Sequence, residues 1–239
     1  LSAITEGTLL GGRVAYRQLA AGHRSGFEPV LLAGAVPAQA GQLVLELGTG
    51  AGAALLCLGT RVPGISGVGV EIDPALAALA NENFKNNNLT EFSSIVGDAA
   101  RLPFGPVFDH AFANPPWHDA VGTASPDGKR ALAHQAAPGL LAAWVAAMAA
   151  AAKPRGTVTV IIPAGCFAGA AAALVASNCG AVTQLPLWPR AGQPAKLVIV
   201  SARKGAKGPD RILPGLILHD AAGITKAAQA VLREGAALA

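Results

Sequence analysis

A chain of 239 residues is long enough for one sizeable domain, and its 52% hydrophobic content with 29 glycines and 17 prolines excludes disorder in favour of a compact, turn-rich protein. A net charge of +4 permits a polyanionic partner without requiring one. The three cysteines, Cys57, Cys166 and Cys179, contain no CxxC pair, which argues against a disulfide framework or a zinc knuckle and fits a reducing cytoplasm.

In chain order, residues 1–40 read as an N-terminal cap in which LLGGRVAYRQL, Leu9 to Leu19, suggests a hairpin, and residues 41–239 read as a single globular unit. No basic, apolar leader pattern stands at this end of the sequence. The first core strand is Gln42 to Leu47, followed by GTGAG and a helix over Ala53 to Thr60. A second strand, SGVGVEI, ends at Ile72, and Asp73-Pro74 supplies the cap and first turn of a helix through DPALAALANENFKNNN. Further strands are expected at Ser94 to Val96, Phe108 to Ala113, Thr157 to Ile162, Val182 to Leu187 and Lys196 to Ser201, with helices at Ala136 to Ala152 and Gly165 to Asn178. Alternating strands and Ala-rich helices predict a Rossmann-like α/β fold with a seven-stranded, mostly parallel sheet and helices on both faces. The uncharged run from Thr157 to Arg190 exceeds a membrane span, but Pro163, Gly165, Gly180 and Pro186 break it into strand, helix and strand.

The first chemical signal is the loop Glu46-Leu47-Gly48-Thr49-Gly50-Ala51-Gly52. Glycines after a buried strand let the backbone approach a ligand, and the next helix points its first amides at it. Glu71 ends the second strand, where a carboxylate can accept both ribose hydroxyls, and Ile72 lies beside it; Asp73 is the competing acid but reads as a helix cap. The loop is GxGxG preceded by an acid and lacks the third glycine of a dinucleotide loop, a pattern similar to S-adenosylmethionine sites. Asp98 and Ala99, in GDAA, are placed to receive the adenine amino group, with a cap for the following turn as the other role of Asp98.

Asn114-Pro115-Pro116-Trp117 follows a near-apolar strand. Two prolines fix two φ angles and hold their neighbours in a rigid extended turn. If the Asn114 side-chain oxygen and the Pro115 carbonyl each accept one N–H of an exocyclic amine, its nitrogen is drawn toward tetrahedral geometry and its lone pair faces the methyl donor. Trp117 would stack on an extruded base. No cysteine adjoins a proline in this loop, so a covalent cytosine mechanism lacks its nucleophile, and His110, His118 and His134 are too scattered for a metal triad. His110 alternates within its strand and reads as packing. Methylation of a protein glutamine and nucleoside binding without activity stay open as alternatives.

VLELGTGAG, GVEIDP, GDA and FANPPW, in this order, resemble a class I methyltransferase of the amino-methylating group. More narrowly, LLGGRVAYRQ with GHRSGFEPVLLA, then NPPWHDAVGTASPDGKRA, and WPRAGQPAKLVIVSARKG with LILHD resemble the tRNA adenine-N6 methyltransferase family that acts beside the anticodon of a valine tRNA. The resemblance covers nearly the whole chain and departs at Trp117, where tyrosine is more frequent, and at Glu28, where aspartate is usual. It implies S-adenosylmethionine as cofactor, tRNA as partner, no metal, no membrane, and a monomer in preference to an oligomer.

Charge adds a local signal. Between Ala181 and Gly215 stand Arg190, Lys196, Arg203, Lys204, Lys207 and Arg211 against Asp210 alone, and Lys129 with Arg130 follow the NPPW loop, where they would grip phosphates beside the target base.

Overall fold

The computed structural model describes residues 3–20, 26–116 and 139–238. Trp117, Lys129 and Arg130 lie outside these residues. Val- and Leu-rich runs bounded by glycine form the central strands: β3 (Leu43–Leu47), β4 (Ser66–Glu71), β5 (Phe92–Val96), β6 (Phe108–Ala113), β7 (Ala152–Pro163), β8 (Cys179–Arg190) and β9 (Leu197–Lys204). They lie in the order β5-β4-β3-β6-β7-β9-β8, parallel except for β9, which runs antiparallel to β7 and β8. These are the seven expected strands, several of them longer than the sequence indicates. Three short strands extend the sheet beside β8: β10 (Arg211–Ile212), β11 (Leu216–Asp220) and β12 (Gly223–Ile224).

Residues alternate between the two faces of the sheet, as the strand period of two requires. Val44, Phe112, Ile161 and Ile199 enter one core with helices α1 (Glu28–Ala35), α2 (Ala53–Arg61) and α3 (Pro74–Asn86). Their neighbours Leu45, Ala113, Ile162 and Val200 enter the other, against α4 (Leu140–Ala151) and α5 (Phe167–Ala176). A final helix, α6 (Lys226–Glu234), returns Val231 and Leu232 to the first core. Among the described residues, no helix is long and apolar enough to cross a membrane.

The hairpin lies apart from this sheet. β1 (Ile4–Leu9) pairs only with β2 (Val14–Leu19), and the turn between them places Leu10 and Gly11 at φ 48° and 64°. It is longer toward the N-terminus than the Leu9–Leu19 segment suggests, because Ile4-Thr5-Glu6-Gly7-Thr8 is too polar to announce a strand.

Helix α3 starts where Asp73-Pro74 places it: the Asp73 carboxylate accepts from the Ala75 amide at 2.8 Å. Its flank meets the outer edge of β5, where Asn81 accepts from the Ser94 amide at 2.7 Å and donates to the Ser94 carbonyl at 2.9 Å. One side chain thus satisfies both backbone groups that an edge residue would otherwise leave exposed. His110 is a packed histidine: its Nε2 meets Gln42 Oε1 at 2.9 Å and its Nδ1 meets Thr157 Oγ1 at 2.7 Å. Since Gln42 Oε1 also accepts from the Gln39 amide, Nε2 donates and Nδ1 accepts, and burial holds the ring below the ordinary histidine pKa.

Asn81→Ala should lower stability by about 1–2 kcal/mol, the range for losing a partner of half-buried polar groups. Urea titration gives the loss, and faster amide exchange at Ser94 assigns it to the β5 edge.

Candidate active site

Three loops meet at the C-terminal edge of the parallel strands. The first leaves β3 and turns at once onto β4: the amides of Gly48 and Thr49 both donate to the Val70 carbonyl, at 2.8 and 3.2 Å. Gly69 makes that approach possible, because a Cβ there would stand 2.6 Å from the Thr49 methyl. Gly48, Gly50 and Gly52 have φ of +65°, +56° and +86°, which L side chains rarely adopt. A Cβ on Gly48 would meet the Trp144 ring at 2.7 Å and one on Gly52 the Phe84 ring at 2.7 Å, whereas at Gly50 nothing lies within 4 Å. The middle glycine therefore presents bare backbone to open space, as a ligand cradle needs.

The loop carries two acids in different environments. Glu71 ends β4 with its Oε2 accepting from the Gly50 amide at 2.8 Å and its Oε1 from the Asp73 amide at 3.0 Å. Each oxygen retains a second lone pair, so the residue clamps the loop and still offers acceptors. Glu46 is buried beneath the loop and accepts from the Thr49 hydroxyl at 2.7 Å. Burial raises its pKa to about 8; the Thr49 and Leu55 hydrogen bonds oppose the shift and the nearby Glu71 adds to it.

Beside Glu71, Ile72 is 72% exposed and presents an apolar surface at the strand end. Asp98 spends one oxygen capping its own turn, Oδ1 accepting from the Ala100 amide at 2.9 Å. Its exposed carboxylate keeps Oδ2 outside that cap, so the capping role does not exclude a ligand contact. Ala99 is buried behind it.

The third loop begins at Asn114, the residue after β6, between β3 and β7 in the sheet. Asn114 is half-buried and Pro115 buried, and among the described residues all peptide bonds are trans. Among the described residues, neither the Asn114 side chain nor the Pro115 carbonyl has a hydrogen-bond partner. Two acceptors are thus held at the edge with Pro115 and Pro116 fixing the backbone.

The structure brings Glu46, Gly48, Thr49, Gly50, Gly52, Glu71, Ile72, Asp98, Ala99, Asn114, Pro115 and Pro116 to one edge of the sheet. It does not gather the basic run. Arg190 ends β8 and Lys196 precedes β9 on this edge, but Arg203 and Lys204 lie at the opposite end of β9, where Lys204 donates to the Ala152 carbonyl at 2.8 Å. Two contributors escaped the sequence reading. Trp144 packs on Gly48 from a helix that looks purely Ala-rich, and Asn83 reaches the loop at Ala51 from α3. The recurrence of asparagine in NENFKNNN was the available signal for the second.

Comparison with known proteins supports the fold. Residues 44–156 match the model of a methyltransferase domain, from within β3 into β7. No curated protein sequence matches the chain. Similar solved structures include a predicted O-methyltransferase of Agrobacterium tumefaciens, with TM-score 0.74 and 21% identity over 88% of this chain and 98% of that one. TYW2 of M. jannaschii in complex with AdoMet has TM-score 0.60 and 12% identity, over 85% of this chain and 86% of that one. A geranyl diphosphate methyltransferase in complex with GPP and sinefungin has TM-score 0.52 and 13% identity, over 73% and 76% of the two chains. The fold is the Rossmann-like fold of class I methyltransferases, and at these identities the likeness is one of fold.

The buried Glu46 sets a pH dependence. In the unfolded chain a glutamate is ionised above about 4.5, whereas the folded state keeps its proton up to about 8, so stability is lost as pH rises through that window. The lowered pKa of His110 acts below about 6.5 with the opposite sign. Between pH 6.5 and 8 the ligand-free protein should therefore lose thermal stability as pH rises, and Glu46→Gln should flatten the slope; calorimetry across that range checks it.

Proposed function

We propose that this chain is an S-adenosylmethionine-dependent methyltransferase that methylates an exocyclic amine, with adenine N6 in tRNA beside the anticodon as its substrate. The observation that carries the reading is a pair of acceptors, Asn114 Oδ1 and the Pro115 carbonyl, that have no partner among the described residues and stand on the same sheet edge as the bare Gly50 loop.

The residues present fit the cofactor. Gly50 leaves room at the loop, Glu71 offers spare lone pairs for ribose hydroxyls, exposed Ile72 gives an apolar shelf for the adenine, and Asp98 Oδ2 can accept its amino group. When bound, the cofactor supplies an electrophilic methyl on a sulfonium. Glu46, neutral in the ligand-free protein up to about pH 8, becomes the favoured counter-ion for a cation brought close to the loop.

Asn114 and Pro115 would orient the acceptor amine. Each takes one N–H, which turns the nitrogen lone pair out of conjugation with the purine and toward the methyl. Glu71, Ile72 and Asp98 would hold the cofactor while its S–C bond breaks and the new C–N bond forms, leaving a neutral thioether. The methylated nitrogen would be cationic and would give its proton to water, so Asn114 and Pro115 need only orient the amine and no strong base is required. Trp117, as the stacking surface for an extruded base, and Lys129 with Arg130, as phosphate contacts, belong to the same proposal.

The test is mass spectrometry of nucleosides from tRNA incubated with the protein and S-adenosylmethionine, in which N6-methyladenosine should appear. Asn114→Ala should reduce single-turnover transfer about 100-fold or more with cofactor affinity unchanged. Methyl incorporation into protein glutamine with none into tRNA would overturn the substrate, and near-normal transfer by Asn114→Ala would overturn the mechanism.

A further inference from the structure

Helix α3 holds more than the β5 edge. On its other side Asn83, which has no exposed surface, accepts from the Arg17 amide at 3.1 Å and donates to the Arg17 carbonyl at 2.8 Å. One turn later Asn87 accepts from the Ala15 amide at 2.9 Å and donates to the Ala15 carbonyl at 2.7 Å. Four helical residues advance about 6 Å and two strand residues about 6.8 Å, so an i, i+4 pair of carboxamides can follow alternate residues of an extended strand. The two asparagines stand in for a third strand along the outer edge of β2.

They differ in one bond. The second N–H of Asn83 donates to the carbonyl of Ala51, within the glycine loop, at 2.9 Å, whereas Asn87 donates its second N–H to Asn83 O on the same helix, at 2.8 Å. Every donor and the acceptor of a fully buried amide are thereby used, and the hairpin backbone and the loop backbone share a single rigid side chain. A further tie works from the hairpin side, where Arg17 pairs with Glu82 of α3 at 3.1 Å and with Glu6 at 3.2 Å.

We propose that Asn83 is a positioning residue that locks the β1–β2 hairpin to the cofactor loop, so that the loop takes its ligand-ready geometry only while the hairpin is docked. The cofactor part of this statement rests on the function proposed above; the mechanical link does not. Asn87 supplies the internal control, since it anchors the same strand without touching the loop.

Amide hydrogen exchange on the ligand-free full chain separates the two. Asn83→Ala should speed exchange about tenfold at Arg17 and also over Gly50 to Ala53, whereas Asn87→Ala should speed it at Ala15 and leave the loop as in the parent. Titration with S-adenosylmethionine should then show affinity about tenfold weaker for Asn83→Ala and within about twofold of the parent for Asn87→Ala. If Asn83→Ala does not fold, Asn83→Ser, whose shorter side chain cannot span Arg17 and Ala51, takes its place. Loop exchange unchanged by the Asn83 variant, or raised equally by both variants, would overturn the link. A parent that binds no S-adenosylmethionine would overturn the proposed function instead, with the exchange comparison still deciding the link.

Discussion

The site depends on one row of residues. Val70 of β4, Leu47 of β3, Ala113 of β6 and Val160 of β7 lie side by side across four parallel strands. One step further stand Gly48 and Asn114, where the β3–β6 ladder gives way to turns, and Glu71, the last residue of β4. A strand cannot slip by one position without sending its buried side chains to the wrong face. Register therefore fixes an acid, a bare backbone and a carboxamide at the same height, an alignment enforced by fully buried apolar side chains such as Leu45, Leu47, Ala111 and Phe112.

Around that row the loop is held from several sides at once. Trp144 covers Gly48 on one face of the sheet and Phe84 closes on Gly52 from the other, while Glu71 holds the amide between them. Glu46 is the cost of this arrangement: a carboxyl kept neutral by burial beneath a loop that has room for little else. Glu46 can accept the Thr49 hydroxyl whether or not it is ionised, so the hold on the loop does not depend on its charge.

Much of this was legible in the residues. Asp73-Pro74 announces its helix because the cap and the proline act locally, and the β6 strand stops at Asn114 because two prolines cannot continue a ladder. The glycine loop is equally local. Less was readable where tertiary contacts decide. β8 runs from Cys179 to Arg190, well past the apolar Val182–Leu187, because β9 and β11 supply partners for its polar ends. β10, β11, β12 and α6 are less legible, since their short or polar runs order against β8, against one another, and against the Leu10–Gly12 turn and α1. The basic run misled for the same reason: sequence proximity joins Arg190 to Arg203, and an antiparallel strand then carries them to opposite ends of the sheet. Trp144 and Asn83 touch the loop across the fold; the asparagines of NENFKNNN hint at the second contact, and nothing in its Ala-rich helix marks the first.

The carboxamide of Asn81 on Ser94 has a consequence for how this architecture can vary. A sheet is an open polymer, and each free margin invites another strand, whether from the same chain, a partner or an aggregate. Here a helix impersonates the missing neighbour at the β5 margin, so growth there is capped. Elaboration is left to the β8 margin, and it is there that β10, β11 and β12 are found, beyond the fourth strand from the glycine loop. The sheet thus has one closed margin, where an added strand would displace the helix that bears on the glycine loop, and one open margin, where added strands leave that loop untouched.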